Sequence, residues 1–324
     1  MKNVLITGGS GFIGQHLIGS LLNLKNIDHI LILDIKEPPH AEHYKMTYRY
    51  WDIRENEFVP LLDRQYDTCF HLAALCKEPG FEWDEYFQTN YVGTQNVISL
   101  CEKGGVKNFI FTSTMMVYKA SEERRNEKSL TSPDTAYGMS KLLAEKEIQR
   151  WALHDEEKSY CTLRTSVVFG MNEKGNFTRL YYALKKNHFA FVGRKSTVKS
   201  CIYVKDLCSA LLYFMDKKNK ETYNFAFTKG YSIGEIVNTF ANVFMFKSFT
   251  PVIPFHVLLS MSKIFQFLNT IGVRNSIHPR RIQKLYYSTN IDSSNIVAAG
   301  FFFNYNLESA LKDWKKDCNN QDLY

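Results

Sequence analysis

The chain's seven cysteines, at 69, 76, 101, 161, 201, 208 and 318, include no C-x-x-C pair. An odd count without that spacing offers neither a disulfide framework nor a zinc site, so no metal is expected. Reduced thiols fit a cytoplasmic protein. Met1-Lys2-Asn3 runs straight into Val4-Leu5-Ile6-Thr7, leaving no room for a signal peptide and favouring the same location. Internal repeats and low-complexity linkers are missing too. Acid is missing from two long stretches. Residues 174–205 hold eight Lys/Arg and residues 236–291 hold six, with no Asp or Glu in either. Because the net charge is only +7, the rest of the chain is acidic. A basic region of this kind faces a phosphorylated ligand, nucleic acid or a membrane surface. The basic residues do not form a clustered tail, so nucleic acid is not the expected partner.

Only one apolar run approaches the ~20 residues that cross a bilayer. Residues 252–272 carry a single charge, Lys263, but Pro254, His256, Ser260, Ser262, Gln266, Asn269 and Thr270 dilute them. A lid or core helix over 257–268 is the preferred reading. A helix lying in a membrane interface, and hence peripheral membrane contact, is the second.

What is present is a globular composition, 45% hydrophobic and 23% charged, in a chain long enough to bury its core without a staple. Its length suits about two domains. Short apolar runs at 4–7, 30–33, 48–53, 67–72 and 109–112 alternate with helical spacing at 12–24 and 86–103. Continuous apolar strands between helices predict a parallel sheet buried on both faces, hence an α/β, doubly wound fold. Helices are predicted at 136–154, 232–244 and 307–314, with a strand at 162–169. The expected division is a cofactor domain over 1–170, joined by later strands from about 200–230. A smaller C-terminal α/β lobe over 171–324 would bind substrate.

Thr7-Gly8-Gly9-Ser10-Gly11-Phe12-Ile13-Gly14 joins the first strand to the first helix. Gly8, Gly11 and Gly14 suit a tight turn, close approach to a pyrophosphate and close helix–strand packing. The helix N-terminus offers free N–H groups to phosphate. Asp34 ends the second strand 20 residues after Gly14, where an acid holds the adenosine ribose diol. That carboxylate favours NAD over NADP; Lys36 weakens the preference slightly. Farther on, Tyr137 and Lys141 stand four apart and share a helix face. A tyrosine hydroxyl, pKa near 10, is a poor base at neutral pH. A neighbouring ammonium and a positive nicotinamide ring would pull it down, and Lys141 could also hold the nicotinamide ribose.

With T-G-G-x-G-F-I-G and Y-x-x-x-K on the page, the chain resembles the extended short-chain dehydrogenase/reductase family, which includes NAD-dependent nucleotide-sugar epimerases and dehydratases. His71-Leu72-Ala73-Ala74 and Asn90-Tyr91-Val92-Gly93-Thr94 add to the likeness, strong over the first 210 residues. The resemblance implies a Rossmann-type cofactor domain. It implies cofactor contacts from Gly8, Gly11, Phe12, Ile13, Gly14, Asp34, Asp52, Ile53, Leu72, Ala73 and Ala74, with Tyr137 and Lys141. In Thr114-Met115-Met116-Val117-Tyr118 it makes Thr114 the hydroxyl that holds the reacting oxygen, with Ser113 as fallback. It places Asn176 and Lys199 against a sugar nucleotide, Lys199 at its diphosphate, and Arg280 or Arg281 as a second diphosphate contact. It also implies a homodimer through the helices at 86–103 and 136–154, with Ile148 and Trp151 as an apolar seam.

Two departures refine this. The 4,6-dehydratases carry Asp-Glu where Met115 and Met116 stand, so dehydration is disfavoured. Val167 replaces the Asn of the UDP-galactose-type epimerases, which suits amino-sugar epimerases and 4-keto-sugar reductases. The expected activity is therefore NAD-dependent epimerisation at C4 of a UDP-sugar, with a UDP-N-acetylhexosamine preferred. A keto-sugar reductase using NAD(P)H is second, and a non-catalytic regulatory protein third. A steroid or flavonoid ligand fits the fold, but not the basic lobe.

Overall fold

The computed structural model describes residues 1–39, 43–56, 62–153, 155–247, 250–270 and 279–323. The first half is built as βα units: β1 (Lys2–Thr7), α1 (Phe12–Leu22), β2 (Ile27–Asp34), β3 (Met46–Tyr50) and β4 (Thr68–His71). Then come α2 (Trp83–Phe87), a π-helical turn (Gln88–Val92), α3 (Gly93–Lys103) and β5 (Asn108–Thr114). A 3-10 turn (Met115–Val117), β6 (Ser121–Arg125), α4 (Ala136–Leu153), β7 (Ser159–Thr165) and β8 (Val167–Phe169) follow.

The second half holds α5 (Asn176–Lys185), β9 (Phe191–Val192), β10 (Cys201–Tyr203), α6 (Val204–Met215), β11 (Lys220–Phe225) and α7 (Ile233–Phe244). It ends with β12 (Val252–Ile253), α8 (Phe255–Thr270), α9 (Pro279–Tyr286), β13 (Thr289–Ile291), α10 (Ser294–Ala298) and α11 (Leu307–Asp317).

Seven strands form one parallel sheet in the order β11-β7-β5-β4-β1-β2-β3. Its strands are apolar along their length because both faces are covered. Successive side chains point to opposite faces, so Val4, Ile6, Ile30, Ile32 and Ile110 enter one core with α1 and α6. Leu5, Leu31, Leu33, Phe109 and Phe111 enter the other with α3 and α4. The first core continues into the second half through aromatic rings; Phe169 stacks on Phe177 at 4.2 Å. Three two-stranded parallel pairs, β8–β10, β9–β12 and β6–β13, build the lobe over the carboxyl ends of the sheet.

Several elements differ from the sequence reading. The single helix expected over 86–103 begins at Trp83 and is interrupted by the π turn, which turns Asn90 inward. The strand expected at 48–53 stops at Tyr50, after which Asp52 turns back to Arg54. The strand expected at 162–169 is two strands in two sheets, separated where Ser166 N–H donates to the Phe225 carbonyl (2.9 Å). Ile148 and Trp151 are not an exposed seam. Ile148 is fully buried in the core beneath α4, and the Trp151 ring packs on Phe109 at 5.7 Å. The exposed apolar side chains of α4 are Leu143 and Leu153. The apolar run near 252–272 contains α8; among the described residues no helix is long and apolar enough to cross a membrane.

Candidate active site

The cofactor loop is shaped by close approach. Gly8 has φ +74°, and a Cβ there would lie 2.5 Å from Ala73 N, so only glycine lets this turn lie against the Leu72–Ala73 backbone. Leu72 N–H donates to the Thr7 carbonyl (3.0 Å), tying the 72–74 segment to the end of β1. Gly11 is the N-cap of α1 without a side-chain cap; Phe12 and Ile13 open that helix, and Gly14 is buried in its first turn. The first amides of α1 therefore point free at the carboxyl end of the sheet, where a diphosphate fits. Asp34, at the end of β2, accepts from Ser10 N–H (2.9 Å) and Lys36 N–H (3.1 Å). Each carboxylate oxygen keeps a lone pair, the acceptor set that the two hydroxyls of a ribose diol need. These residues fit NAD.

Asp52 differs from expectation in its partner. Its carboxylate is taken by Arg54 (Nε 3.0 Å), whose hydrogen bonds hold it below the usual carboxylate range. Ile53 packs against Gly93 of α3, and its carbonyl accepts from Asn96 (2.8 Å). Asn90 bonds both N–H and carbonyl of Leu75 (2.9 and 3.1 Å) and the Ser140 hydroxyl (3.0 Å). One buried amide thus joins the loop after β4 to the helix that carries Tyr137. His71 bridges Thr7 (2.6 Å) and Thr94 (2.9 Å) behind that loop, and burial keeps it neutral.

The residues expected to be catalytic converge at the N-terminal end of α4. A Cβ on Gly138 would lie 2.2 Å from the Met116 carbonyl, so glycine there lets the first turn of α4 press against the turn after β5. That contact brings Tyr137 to Thr114, whose hydroxyl pulls the pKa of the phenol down. Thr114 also accepts from Met116 N–H (3.1 Å). Ser113, the fallback, is committed elsewhere: its buried hydroxyl donates to Glu145.

Lys141 is 1% exposed, with its ammonium 3.9 Å above the centre of the Phe111 ring. Burial lowers its pKa from 10.5 to about 7, against the opposing pull of the Glu145 carboxylate and Cys76. Tyr137 moves the other way from the sequence expectation. Burial, then Cys76, pushes its hydroxyl well above its ordinary value, while Thr114 pulls it down. Without an added positive charge this phenol is not a base at neutral pH; oxidised nicotinamide is such a charge.

Beneath these residues lies a pair that sequence reasoning missed. Glu145, fully buried one turn after Lys141, forks onto Arg164 of β7 (Nη2 2.7 Å, Nε 3.1 Å). Arg164 also donates to Tyr118 (2.7 Å), which donates to Asn224 of β11 (2.9 Å). The signal was available: an arginine inside a buried strand needs an acid, and Glu145 stands at i+4 from Lys141, on its helix face.

The expected substrate contacts are less gathered. Asn176 is exposed at the first position of α5. Lys199 does not stand free for a diphosphate. Its ammonium donates to the carbonyls of Lys284 and Tyr287 (both 2.5 Å), clamping the end of α9, and burial lowers its pKa to about 8. The side chains of Arg280 and Arg281 lie outside the described residues.

Comparisons with known proteins bear on the family and the fold. The sequence profile described as "NAD dependent epimerase/dehydratase family" matches residues 4–226. The N-acetyl-alpha-D-glucosaminyl-diphospho-ditrans,octacis-undecaprenol 4-epimerase of Escherichia coli O157:H7 is 27% identical over 316 residues, 95% of this chain and 93% of that protein. Among solved structures, the UDP-N-acetylglucosamine 4-epimerase of Bacillus cereus superposes with a TM-score of 0.77 at 23% identity, covering all of this chain and 99% of that one. MoeE5 in complex with UDP-glucuronic acid and NAD gives 0.76 at 23% identity over 98% and 99%. These two establish the fold, a Rossmann-type sheet with its lobe, and the sequence profile establishes the rest: the chain belongs to the NAD-dependent epimerase/dehydratase family.

Proposed function

We propose that this chain is an NAD-dependent epimerase acting at C4 of an N-acetylhexosamine carried on a diphosphate. One observation carries the reading: Tyr137 and Thr114 are brought together where the first turn of α4 presses on the turn after β5, with Lys141 buried one turn below, at the sheet end where Gly8 and Asp34 fit NAD. When bound, NAD supplies a reversible hydride acceptor.

Thr114 holds the C4 oxygen, and Tyr137 removes its proton and later returns it. Lys141, charged, lowers the cost of the phenolate. Met115 and Met116 put no carboxyl after Thr114 that could protonate a leaving hydroxyl, so the 4-keto sugar is returned rather than dehydrated. The ring must turn between two faces, so the diphosphate has to stay anchored while the sugar is released. Asn176, the remaining N–H of Lys199 and Arg280 serve that anchoring. Asp34 makes the cofactor NAD rather than NADP, and the working unit is a homodimer.

Several relatives are named for, or bound to, diphosphate-linked sugars, which supports a diphosphate-linked substrate. The test is to purify the chain, measure its bound NAD, and supply UDP-N-acetylglucosamine or its polyprenyl-diphosphate counterpart. The 4-epimer should form without net reduction of NAD. Stoichiometric oxidation of added NADH by a keto sugar, with no epimer formed, would replace this reading with a reductase.

A further inference from the structure

The buried ion pair beneath the site is placed to act on two of its residues at once. Arg164 of β7 stands directly across the sheet from Ser113 of β5, and Thr165 across from Thr114. The Arg164 guanidinium forks onto Glu145 (Nη2 2.7 Å, Nε 3.1 Å) and donates through Nη1 to the Tyr118 hydroxyl (2.7 Å). Glu145 in turn accepts from the Ser113 hydroxyl. Ser113 is the residue before Thr114. Tyr118 closes the 3-10 turn after it, its N–H donating to the Met115 carbonyl (3.1 Å). The pair therefore grips the chain on both sides of Thr114. The Tyr118 hydroxyl goes on to Asn224 of β11 (2.9 Å), and the Thr165 hydroxyl donates to the Ser113 carbonyl (2.9 Å). This end of β5 is thus tied to both strands beyond it.

The same carboxylate lies one turn beyond Lys141 on α4. Residues four apart on a helix share a face, with Cβ atoms about 5–6 Å apart. Tyr137, one turn before Lys141, shares that face too. The other titratable groups facing the ammonium are Cys76 in the loop after β4 and His71 of β4, which burial keeps neutral. Phe111 of β5 offers only its ring, at 3.9 Å. Glu145 is the carboxylate among these groups, and its bonds to Ser113 and Arg164 fix where its charge sits.

Folding alone gives little reason for such a pair. Two charges taken out of water are offset by their attraction only when the geometry is good, and apolar residues of similar volume in their place are often neutral or stabilising. Removing one partner is costly because it strands the other. The reaction gives a stronger reason. Groups held in register gain orders of magnitude in rate, and a displacement of about 1 Å can cost about 10²-fold. Thr114 belongs to β5, whereas Tyr137 and Lys141 belong to α4. Glu145 is bonded across that boundary, to Ser113 on one side and from its own helix on the other.

We propose that Glu145 and Arg164 are positioning residues of the reaction: together they hold Thr114 in register with α4 and keep a fixed negative charge one turn from the Lys141 ammonium. Neither touches the substrate. Arg164 and Ser113 set where the Glu145 carboxylate stands. The carboxylate favours the charged form of Lys141, and that charge lowers the cost of the Tyr137 phenolate. The effect on turnover rests on the epimerase reading above; the effect on Lys141 and Tyr137 does not.

The test is the double variant Glu145→Met with Arg164→Met, in which neither charge is left stranded. Its melting temperature and NAD content should stay near those of the wild type, and KM for UDP-N-acetylglucosamine should hold. Its kcat should fall on the order of 10–10²-fold. The alkaline limb of its kcat profile should move to lower pH by about one unit, because Lys141 without the carboxylate loses its proton earlier. Ionisation of Tyr137, followed in NAD-loaded protein as the phenolate difference spectrum against Tyr137→Phe, should shift to higher pH for the same reason. That readout needs no substrate. Tyr118→Phe keeps the pair and cuts the tie after Thr114, so it should lose kcat severalfold with the alkaline limb unmoved. A folded double variant with wild-type kcat and unshifted Tyr137 overturns the proposal and leaves the pair to folding alone. Should the double variant not fold, Tyr118→Phe decides: a folded protein with undiminished kcat overturns the proposal. A shifted Tyr137 in the double variant, with no sugar diphosphate epimerised by the wild type, would sink the epimerase reading while leaving the hold on Lys141 in place.

Discussion

The half proposed to hold the cofactor and the lobe proposed to hold the substrate solve different problems with their polar residues. Around the cofactor loop, nearly every functional group is fixed by the backbone of a second element: Asp34 by the amides of Ser10 and Lys36, Asn90 by Leu75, Gly8 by Ala73. Such positions tolerate one residue type each, so they form motifs. In the lobe the polar groups are long cations. Lys199 spends two of its three N–H donors on carbonyls of its own chain. A lysine can brace a helix end or meet a phosphate, and the residue letter is the same. The difference teaches that a glycine or a buried amide is a strong sequence signal because its geometry is exclusive, whereas a cation is a weak one.

The sharpest break of this comparison is at Tyr137. Tyr137→Phe should lower turnover by about 10²–10⁴-fold and leave NAD content unchanged, as read by steady-state assay and by absorbance of the released cofactor. A loss of cofactor in step with turnover would mean that Tyr137 serves the loop rather than the chemistry.

Next is the buried pair. Glu145→Gln leaves Arg164 charged and unpaired beneath Lys141, and should cost about 3–5 kcal/mol in denaturant unfolding. Replacing both residues, Glu145→Met with Arg164→Met, should recover most of it. If the single variant is as stable as the wild type, the cofactor half is less tightly locked than its hydrogen bonds indicate.

Lys141 sharpens the comparison through pH. Its pKa falls from 10.5 to about 7 in the fold. The unfolded chain therefore binds more protons between those values, and stability from this group rises with pH across that window. Below about pH 7 the full penalty for the buried ammonium is present. Lys141→Met should be the more stable protein at pH 6, by an amount on the order of a few kcal/mol at 1.4 kcal/mol per unit. The gap should narrow as pH is raised toward 9, while activity is lost throughout. A gap that is constant with pH would show that the ammonium is solvated.

Asp34→Ala should give a smaller change, a weaker hold on NAD and relaxed discrimination against NADP in equilibrium binding. Wild type that binds NADP as well as NAD would remove Asp34 from that role. The smallest effect is expected at Lys199. Lys199→Met should loosen the end of α9 and raise KM more than it lowers kcat. A pure kcat effect would move Lys199 into the chemistry.

Much of the fold was legible. Alternating apolar runs and helical spacing gave the doubly wound sheet, because a strand buried on both faces has no polar side to confuse the pattern. What was not legible depends on contacts between distant segments. The π turn around Asn90 follows from a side chain that must reach Leu75 and Ser140, and no local propensity encodes it. Ile148 and Trp151 read as a seam because periodicity shows an apolar face but not whether the face turns to a partner or to the chain's own sheet. Of the proposed catalytic residues, Tyr137 and Lys141 were legible by spacing and Thr114 through the family resemblance. Their supports Glu145, Arg164 and Gly138 were not, since each matters through what it touches across the fold.

The central claim is that Tyr137, Thr114 and Lys141 run a hydride out and back on one sugar without consuming NAD. The most direct measurement supplies the purified protein with an N-acetylglucosamine diphosphate deuterated at C4 and follows the label into the 4-epimer. The account expects deuterium to be retained at C4 of the epimer, with the bound cofactor still oxidised at the end. Epimer in which C4 deuterium has been exchanged for solvent hydrogen, or NADH accumulating in step with product, would contradict it.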